Sequence, residues 1–307
     1  MTGLERLVAS LRRELGGRVR TDASLREHTT YRVGGPASVL VEIETPADLE
    51  AFGRVLKGTA GEVDVLPLGR GSNLVVSDHG FRGVVVRLGP RFSSLSGEGS
   101  ELIAGGAAPL PQVANRAARR GLAGMEFAIA IPGSVGGGVR MNAGAHGGQV
   151  GDRLTQVTVF ELATGSTGER PARDLDMSYR RSNLTDHDLV LEARWELIPG
   201  DPEEIKRRTE ANRRHRADTQ PAAVQNAGSV FKNPPGDHAG RLVEAAGLKG
   251  FSVGGARVSE LHANFFIAGD GATAQDVYDL VNEVRRRVRD EQGVRLDTEI
   301  RFVGRFG

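Results

Sequence analysis

Hydrophobic residues near both ends of the chain recur with the spacing of an α-helix. The first set, which two glycines follow, predicts an amphipathic helix over residues 4–15. Near the C-terminus, an apolar stripe over residues 277–288 has the same period. Thr273 and Asp276 precede it with the spacing of a capping box, so a second amphipathic helix should begin there.

Three more helices are expected between these two. One should follow Thr45, because Thr45 and Asp48 form a capping-box pattern and Pro46 takes the first helical position. This helix should end near Gly58. The other two cover residues 111–120 and the highly charged stretch 202–216.

Strands are predicted where short apolar runs or alternating positions occur. Residues 189–197 place apolar side chains at every second position, with polar residues at all but one of the others, which is typical of a half-buried strand. Residues 294–303 alternate similarly and predict a final strand with Arg295, Asp297, Glu299 and Arg301 on one face. Further strands are expected over residues 39–43, 63–68, 74–76, 84–88, 102–104 and 154–162.

The length of 307 residues favours two or three domains. An irregular stretch over residues 90–100 suggests one boundary, and the charged helix over 202–216 leads to another. We predict a first subdomain over residues 1–89, a second over 90–217, a C-terminal domain over 218–303 and a tail over 304–307.

Composition excludes several classes of partner. Forty basic and 39 acidic residues give a net charge of +1, which creates no broad field for attracting nucleic acid or an anionic membrane. The absence of cysteine excludes disulfides, and the seven histidines lack ligand spacing, so no metal site is expected. No secretory signal or membrane-spanning apolar run is recognisable. We therefore expect a cytoplasmic protein.

Two glycine-rich segments are candidates for binding a phosphate group, because successive glycines let backbone N–H groups converge on an anion. The first, GRGSNL from Gly69, follows a predicted strand but lacks the third glycine of the dinucleotide fingerprint. Considered alone, it fits a simple turn equally well. The second, IPGSVGGGVRMNAGA from Ile131, combines five glycines with Ser134 and Asn142 and favours a ligand-binding role.

Four further blocks extend this picture: TTYRVGGPA from Thr29, YRRS from Tyr179, AGSVFKNP from Ala227 and EIRFVG from Glu299. With them the chain resembles, over essentially its whole length, the UDP-N-acetylenolpyruvoylglucosamine reductases. These flavoenzymes reduce the enolpyruvyl ether of UDP-N-acetylglucosamine to UDP-N-acetylmuramate for peptidoglycan synthesis. The resemblance implies an α+β protein, with a vanillyl-alcohol-oxidase-type FAD-binding fold of two α+β subdomains and a C-terminal α+β substrate-binding domain. The short stretch before Trp195 resembles the subtype without the tyrosine loop.

The resemblance also implies the cofactors. FAD would be bound non-covalently, and NADPH would be the hydride donor. The implied FAD contacts are Tyr31, Arg32, Gly34 and Gly35, then Gly69, Arg70, Gly71, Ser72, Asn73 and Leu74, and finally Ile131, Pro132, Gly133, Ser134, Gly136, Gly137, Asn142 and Gly144.

Three residues match the catalytic positions of the family. Hydride addition beside the substrate carboxylate creates an enolate, which needs hydrogen-bond donors and a nearby acid. Arg180 would bind the carboxylate, Ser229 would donate the proton, and Glu299 would act as an acid or stabilise the enolate. From the residues alone, each also fits a simpler role: a surface arginine beside Arg181, a turn serine and an exposed carboxylate.

Lys232, Asn233 and Asn264 match positions that contact substrate in the family, although both asparagines also fit structural hydrogen bonding. The expected partners are UDP-N-acetylglucosamine enolpyruvate and NADPH, with no obligate protein partner. Two other functions remain open: a flavin-dependent oxidase of the same wider fold, and a non-catalytic flavin-binding module. Turnover of bound flavin, and the electron acceptor that reoxidises it, would separate the three.

Overall fold

The structure is a computed structural model that describes residues 3–57, 63–222 and 225–307. Contacts between residues divide the chain into two compact units. The first unit contains Met1–Asp22, Val39–Arg70 and Gly83–His215, and the second contains Ala23–Ser38, Gly71–Arg82 and Arg216–Gly307. Residues 23–38 and 71–82 therefore group with the C-terminal part of the chain, whereas each predicted domain is one continuous stretch of sequence. The predicted boundaries stay a prediction.

The helices of the described residues include the five that were predicted, close to their expected positions, and two short ones that were not, Val135–Arg140 and Ala239–Ala245. They are α1 (Gly3–Leu15), α2 (Pro46–Lys57), α3 (Leu110–Arg119), α4 (Val135–Arg140), α5 (Pro202–Thr219), α6 (Ala239–Ala245) and α7 (Ala274–Gln292). Within the part of the chain that the structure describes, no helix is long and apolar enough to cross a membrane.

The strands have between two and nine residues each. They are β1 (Val19–Ser24), β2 (Pro36–Ile43), β3 (Val65–Pro67), β4 (Leu74–Val76), β5 (Phe81–Leu88), β6 (Leu95–Ser96), β7 (Glu101–Gly105), β8 (Leu122–Ala123), β9 (Gly144–Ala145), β10 (Gly148–Gln149), β11 (Leu154–Glu161), β12 (Ser166–Pro171), β13 (Asp188–Glu196), β14 (Ile198–Pro199), β15 (Ser252–Val253), β16 (Ala256–Val258), β17 (Phe266–Ala268) and β18 (Arg301–Val303).

The predicted caps form as expected. At α2, the Thr45 hydroxyl accepts a hydrogen bond from Asp48 N–H at 3.2 Å, and the Asp48 carboxylate accepts one from Thr45 N–H at 2.8 Å. Thr273 and Asp276 make the same reciprocal pair at α7, at 3.0 and 2.9 Å. These bonds satisfy N–H groups that a helix leaves without partners at its start. Gly58, the predicted end of α2, lies outside the described residues.

The first unit contains two main sheets. Strands β1-β2-β5-β3 form a four-stranded sheet, and α1 and α2 pack with it around one apolar core. Strands β12-β11-β13-β7-β6 form a five-stranded sheet, whose core includes residues of α3 and the buried Trp195. Strand β13 contributes to both cores.

An irregularity in β13 affects which of its residues share a core. The pairing with β11 shifts register between Thr158 and Val159, which leaves Leu191 as an extra residue on β13. A bulge of this kind breaks the strict alternation of faces along a strand. Leu189 and Val190 face different cores by ordinary alternation, and the bulge lets Val190 share its core with Ala193, three residues later.

The second unit is built around α7, α6 and the sheet β15-β16-β17, which share one apolar core. Strand β18 pairs in parallel with β4, so that Arg301 lies opposite Leu74. The prediction of a strand over residues 294–303 is wrong for most of its length, since only Arg301–Val303 forms one. Leu296 and Ile300 are buried as their apolar character indicates, but irregular backbone places them there.

Candidate active site

The two glycine-rich segments meet in the first unit. Arg70 Nε donates a hydrogen bond to the Pro132 carbonyl at 3.0 Å. The segments are so close that a Cβ added at Gly69 would lie 2.4 Å from the Ser134 hydroxyl oxygen. A side chain at position 69 would therefore displace the Ser134 hydroxyl. Four of the residues predicted to contact FAD are thus neighbours, although 62 positions separate Arg70 from Pro132 in the chain.

Part of the second glycine-rich segment forms a helix that the sequence did not predict. Helix α4 begins after Ser134, whose hydroxyl accepts a hydrogen bond from Gly137 N–H at 3.4 Å. Gly136 N–H donates to the Gly106 carbonyl at 2.9 Å, and the Gly133 carbonyl accepts from Leu110 N–H at 3.0 Å. Half-buried Ile131 packs against the apolar core of this region.

The buried Asn142 ties the end of this segment to a turn that contains Arg180. Its Nδ2 donates to the Ser178 carbonyl at 2.9 Å, and its Oδ1 accepts from Gly151 N–H at 2.8 Å. Both ends of the amide therefore have protein partners. A contact between Asn142 and FAD stays a prediction.

Arg180 lies in a tight turn. Ser178 and Arg181 exchange backbone hydrogen bonds at 3.0 and 3.1 Å, and Arg180 between them has a φ of 54°, in the left-handed region. Its Nη2 donates to the Gly144 carbonyl at 2.6 Å. A Cβ at Gly144 would lie 3.1 Å from Arg180 Nη1, so the glycine leaves room for the guanidinium.

In the second unit, the segment 31–35 packs tightly on the segment 71–80. A Cβ on Gly34, which has a φ of 99°, would lie 2.2 Å from the Val76 carbonyl oxygen. Gly35 N–H donates to the Ser77 carbonyl at 2.8 Å, and the Gly71 carbonyl accepts from Thr30 N–H at 3.1 Å. Protein packing alone thus accounts for Gly34, whether or not a phosphate also approaches it. Arg32 beside it is exposed.

Two buried hydroxyls lie in the stretch from Thr29 to Tyr31, which leads into this segment. In the described residues, no group is hydrogen bonded to the hydroxyl of Thr29 or of Tyr31, although both are buried. Burial raises the pKa of Tyr31 well above its ordinary value of 10.0, so the phenol remains protonated and able to donate. Buried hydroxyls without partners are costly, and a polar ligand could satisfy them. The segment therefore fits the FAD contact predicted for it.

Ser229 and Glu299 are held next to each other by main-chain bonds. Ser229 pairs with Phe265 in an isolated β-bridge, and Glu299 N–H donates to the carbonyl of Val230 at 2.8 Å. Lys232 N–H donates to the Asp297 carbonyl at 2.9 Å. Residues 229–232 therefore run beside residues 297–299. The side chains of Ser229, Lys232 and Glu299 are partly exposed.

Asn264 stabilises this arrangement. Its side chain is 3% exposed, with Oδ1 accepting from Phe231 N–H at 3.0 Å and Nδ2 donating to the Phe231 carbonyl at 2.8 Å. The amide thus pairs with the backbone as a neighbouring strand would. Asn233 has a comparable bond, since its Oδ1 accepts from Ala239 N–H at 3.0 Å at the start of α6. Substrate contacts of both asparagines stay predictions.

Asn73 connects the first glycine segment to Glu299. Its Nδ2 donates to the Glu299 carbonyl at 3.1 Å, and its own carbonyl accepts from Arg301 N–H at 3.0 Å. Leu74 is the first residue of β4, and Ser72, which precedes Asn73, is half-buried. An amide predicted to contact FAD therefore also fixes the backbone around a predicted catalytic residue.

The second unit brings together Ser229, Glu299, Asn73, Lys232 and Asn264, while Arg180 and Gly144 lie together in the first. Two residues near these groups were not predicted. In the structure, Thr29 is recognised by its buried hydroxyl and Tyr179 by its contact with Arg180. The sequence signals for both were their positions inside recognised blocks.

Known protein families match most of the chain. A family model for the C-terminal domain of UDP-N-acetylenolpyruvoylglucosamine reductase matches residues 220–303, and a model for an FAD binding domain matches residues 37–169. UDP-N-acetylenolpyruvoylglucosamine reductase 2 of Symbiobacterium thermophilum is 46% identical over 94% of this chain and 93% of its own length. The Bacillus subtilis reductase is 38% identical over 98% of this chain and 99% of its own length.

A solved structure is similar as well. The crystal structure of UDP-N-acetylenolpyruvylglucosamine reductase from Thermus caldophilus superimposes with a TM-score of 0.79 and 38% identity, covering 93% of this chain and 100% of that one. The α+β fold expected from the sequence is confirmed.

Proposed function

The chain belongs to the family of UDP-N-acetylenolpyruvoylglucosamine reductases, and from this premise we propose how its own residues carry out the reaction. It is an FAD-dependent oxidoreductase that uses NADPH to reduce UDP-N-acetylglucosamine enolpyruvate to UDP-N-acetylmuramate in peptidoglycan precursor synthesis. The residue assignments rest on one observation. Ser229 and Glu299 lie on adjacent segments, although 69 residues lie between them in the sequence.

FAD would be held by the glycine segments around Gly69 and Gly133 and by the segment from Thr29 to Gly35. The buried hydroxyls of Thr29 and Tyr31 support this assignment, because they need polar partners. When bound, FAD supplies hydride transfer from NADPH to the enolpyruvyl group. The protein residues bind and orient the substrate, stabilise charge and provide a proton.

Arg180 binds the substrate carboxylate and stabilises the enolate that develops on it. A guanidinium keeps its charge at physiological pH and presents a planar fork of donors that matches a carboxylate. The bond from Nη2 to the Gly144 carbonyl restrains the side chain before substrate arrives. Restraint of this kind reduces the reorganisation needed as charge develops.

Ser229 donates the proton to the enolate carbon, and Glu299 supports the same step. A serine hydroxyl is a weak acid, so its conjugate base needs stabilisation from neighbouring groups. Lys232 is three residues away on the same segment and can supply positive charge. Glu299, when protonated, can donate a hydrogen bond to the enolate.

Asn73 and Asn264 act as positioning residues for this pair. Asn264 fixes the backbone of Phe231, two residues after Ser229, and Asn73 fixes the carbonyl of Glu299. Small displacements of reacting groups reduce rates strongly. The amides therefore contribute to catalysis through the main chain, in addition to any contact with FAD or substrate.

We further propose that residues 1–89 and 90–217 bind FAD and that residues 218–303 bind substrate. The positions of the two matching family models support this division. The partners are then small molecules, NADPH and the nucleotide sugar, and both are available in the cytoplasm. No protein, nucleic-acid or membrane partner is needed for the reaction.

Anaerobic absorbance spectroscopy of the FAD-loaded protein tests the function. NADPH should bleach the flavin bands, and UDP-N-acetylglucosamine enolpyruvate should restore them with formation of UDP-N-acetylmuramate. Bleaching followed by reoxidation only in air would instead indicate an oxidase. Failure of NADPH to bleach the flavin would indicate a binding module.

A further inference from the structure

The turn that carries Arg180 holds this residue in a conformation that side chains with a Cβ seldom adopt. Ser178 and Arg181 close the turn by exchanging hydrogen bonds, and Arg180 is its third residue with a φ of 54°. Positive φ at the third position is typical of a type II turn, where glycine or asparagine is usual. Strained residues of this kind persist where neighbouring contacts hold them, and they cluster at functional sites.

The side chain of Tyr179 provides such a contact. The guanidinium carbon of Arg180 lies over the Tyr179 ring, 4.9 Å from its centroid. Side chains of consecutive residues in an extended strand point to opposite faces, so this contact depends on the turn. The electron-rich face of an aromatic ring attracts a cation at this distance.

Burial does not explain the position of this ring. Tyr179 is 47% exposed and is one of the large hydrophobic residues that remain on the surface. The phenol can therefore contact both Arg180 and solvent. Since Tyr179 contributes little to the apolar core, a substitution there should alter its contact with Arg180 more than the core.

We propose that Tyr179 is a positioning residue for Arg180. The ring restrains the guanidinium on one side, while the Gly144 carbonyl accepts from Nη2 at 2.6 Å. Together they limit the rotamers of a long flexible side chain before the substrate carboxylate binds. This inference rests on the proposed role of Arg180.

The test compares Tyr179→Phe, Tyr179→Leu and Tyr179→Gln with wild type in anaerobic stopped-flow experiments. NADPH-driven bleaching should keep its rate in all three, because that step does not use the substrate carboxylate. Reoxidation by the enolpyruvyl substrate should slow about tenfold in the Leu and Gln variants, while Phe, which keeps the ring face, stays within about twofold. The loss should appear more in kcat than in KM, since enolate charge develops after binding.

Arg181→Ala is the matched control, because it changes the next side chain of the same turn and should keep wild-type rates. Arg180→Ala is the reference. If Arg180→Ala slows reoxidation but Tyr179→Leu and Tyr179→Gln do not, Tyr179 has no positioning role. If Phe is as slow as Leu, the ring face is not responsible and the inference is wrong. Unchanged reoxidation in Arg180→Ala would instead overturn the proposed function of Arg180.

FAD content and melting temperature identify any variant that is misfolded. If either Tyr179→Leu or Tyr179→Gln is misfolded, the other one provides the test.

Discussion

Arg180 in the first unit and the pair Ser229 and Glu299 in the second are held by different kinds of interaction. Arg180 lies in a strained turn, and its guanidinium is restrained by an adjacent ring and one carbonyl. Ser229 and Glu299 lie on segments joined by backbone hydrogen bonds, which the buried Asn264 reinforces. The contacts in the first region restrain a side chain, whereas those in the second fix the main chain.

The difference has consequences for mutagenesis. Changes around Arg180 should alter rates with little loss of stability, because the groups involved are partly exposed. Changes that disturb the backbone around Ser229 should affect stability and rate together, since buried polar groups lose their partners. The following predictions test this contrast.

Ser229→Ala should have the largest effect, because it removes the proposed acid without changing the backbone. We expect product formation to fall on the order of 1000-fold, while NADPH still bleaches the flavin at the wild-type rate. Stopped-flow measurement of both half-reactions checks this. Ser252→Ala is the control, since the exposed Ser252 hydroxyl donates to the nearby Gly250 carbonyl in the same unit. Equal loss of both half-reactions in Ser229→Ala would contradict the assignment.

Arg180→Gly and Arg180→Ala should both reduce the reoxidation rate by roughly 100-fold or more, because the charge that stabilises the enolate is lost. Their stabilities should differ, however. Glycine adopts a φ of 54° without strain and alanine does not, so the glycine variant should be more stable by about 1 kcal/mol. Urea denaturation of both variants measures this difference. Equal stabilities would show that the turn is not strained at this position.

Asn264→Ala should reduce both stability and rate. It leaves the N–H and carbonyl of Phe231 without the partners that now lie at 3.0 and 2.8 Å. We expect a loss of about 1–3 kcal/mol in the free energy of unfolding and, because Ser229 is displaced, slower reoxidation at saturating substrate. Asn183→Ala removes a comparable but exposed bond to the Asp174 carbonyl and should have little effect. An increase in KM alone would indicate direct substrate contact instead of positioning.

The smallest expected effect concerns pH and His262. Burial lowers the pKa of His262 below its ordinary value of 6.5, and its Nδ1 accepts from Asn264 N–H at 3.2 Å. The neutral ring is therefore favoured in the folded state, and the unfolded chain binds the proton more readily. This contribution to stability is complete above pH 6.5 and is lost as the pH falls below it.

Melting temperatures between pH 7.5 and pH 5 check the prediction about His262. Wild type should lose more stability over this range than His262→Gln, which cannot be protonated. His187→Gln, which replaces an exposed histidine, is the control for the substitution itself. Identical slopes for wild type and His262→Gln would contradict the proposed protonation.

Local patterns predicted the helices better than the strands. The caps of α2 and α7 depend on residues three positions apart, so the sequence contains all the information needed. Helix α4 was missed because three of its six residues are glycine, which disfavours helices, and contacts elsewhere in the first unit compensate. Alternation over residues 294–303 correctly indicated the burial of Leu296 and Ile300, but Val303 on the charged face is buried as well, and only Arg301–Val303 pairs as a strand.

The candidate site shows the same limit at individual residues. The motif blocks pointed to Arg180, Ser229 and Glu299 as candidates, yet the left-handed φ of Arg180 and its contact with Tyr179 depend on a turn that the sequence does not reveal. Likewise, Asn73 and Asn264 have side chains suited to ligand contact. Their bonds to the backbone appear only in the folded chain.

The sequence by itself determined the family, the FAD-dependent chemistry, the α+β class and the helices with clear caps, because these follow from motifs and short-range periodicity. Tertiary structure alone decided which segments lie beside the proposed catalytic residues. The amide of Asn73 and the carbonyl of Glu299 are 226 positions apart. No local pattern specifies such a hydrogen bond, since its partners are brought together only by the packing of the whole unit.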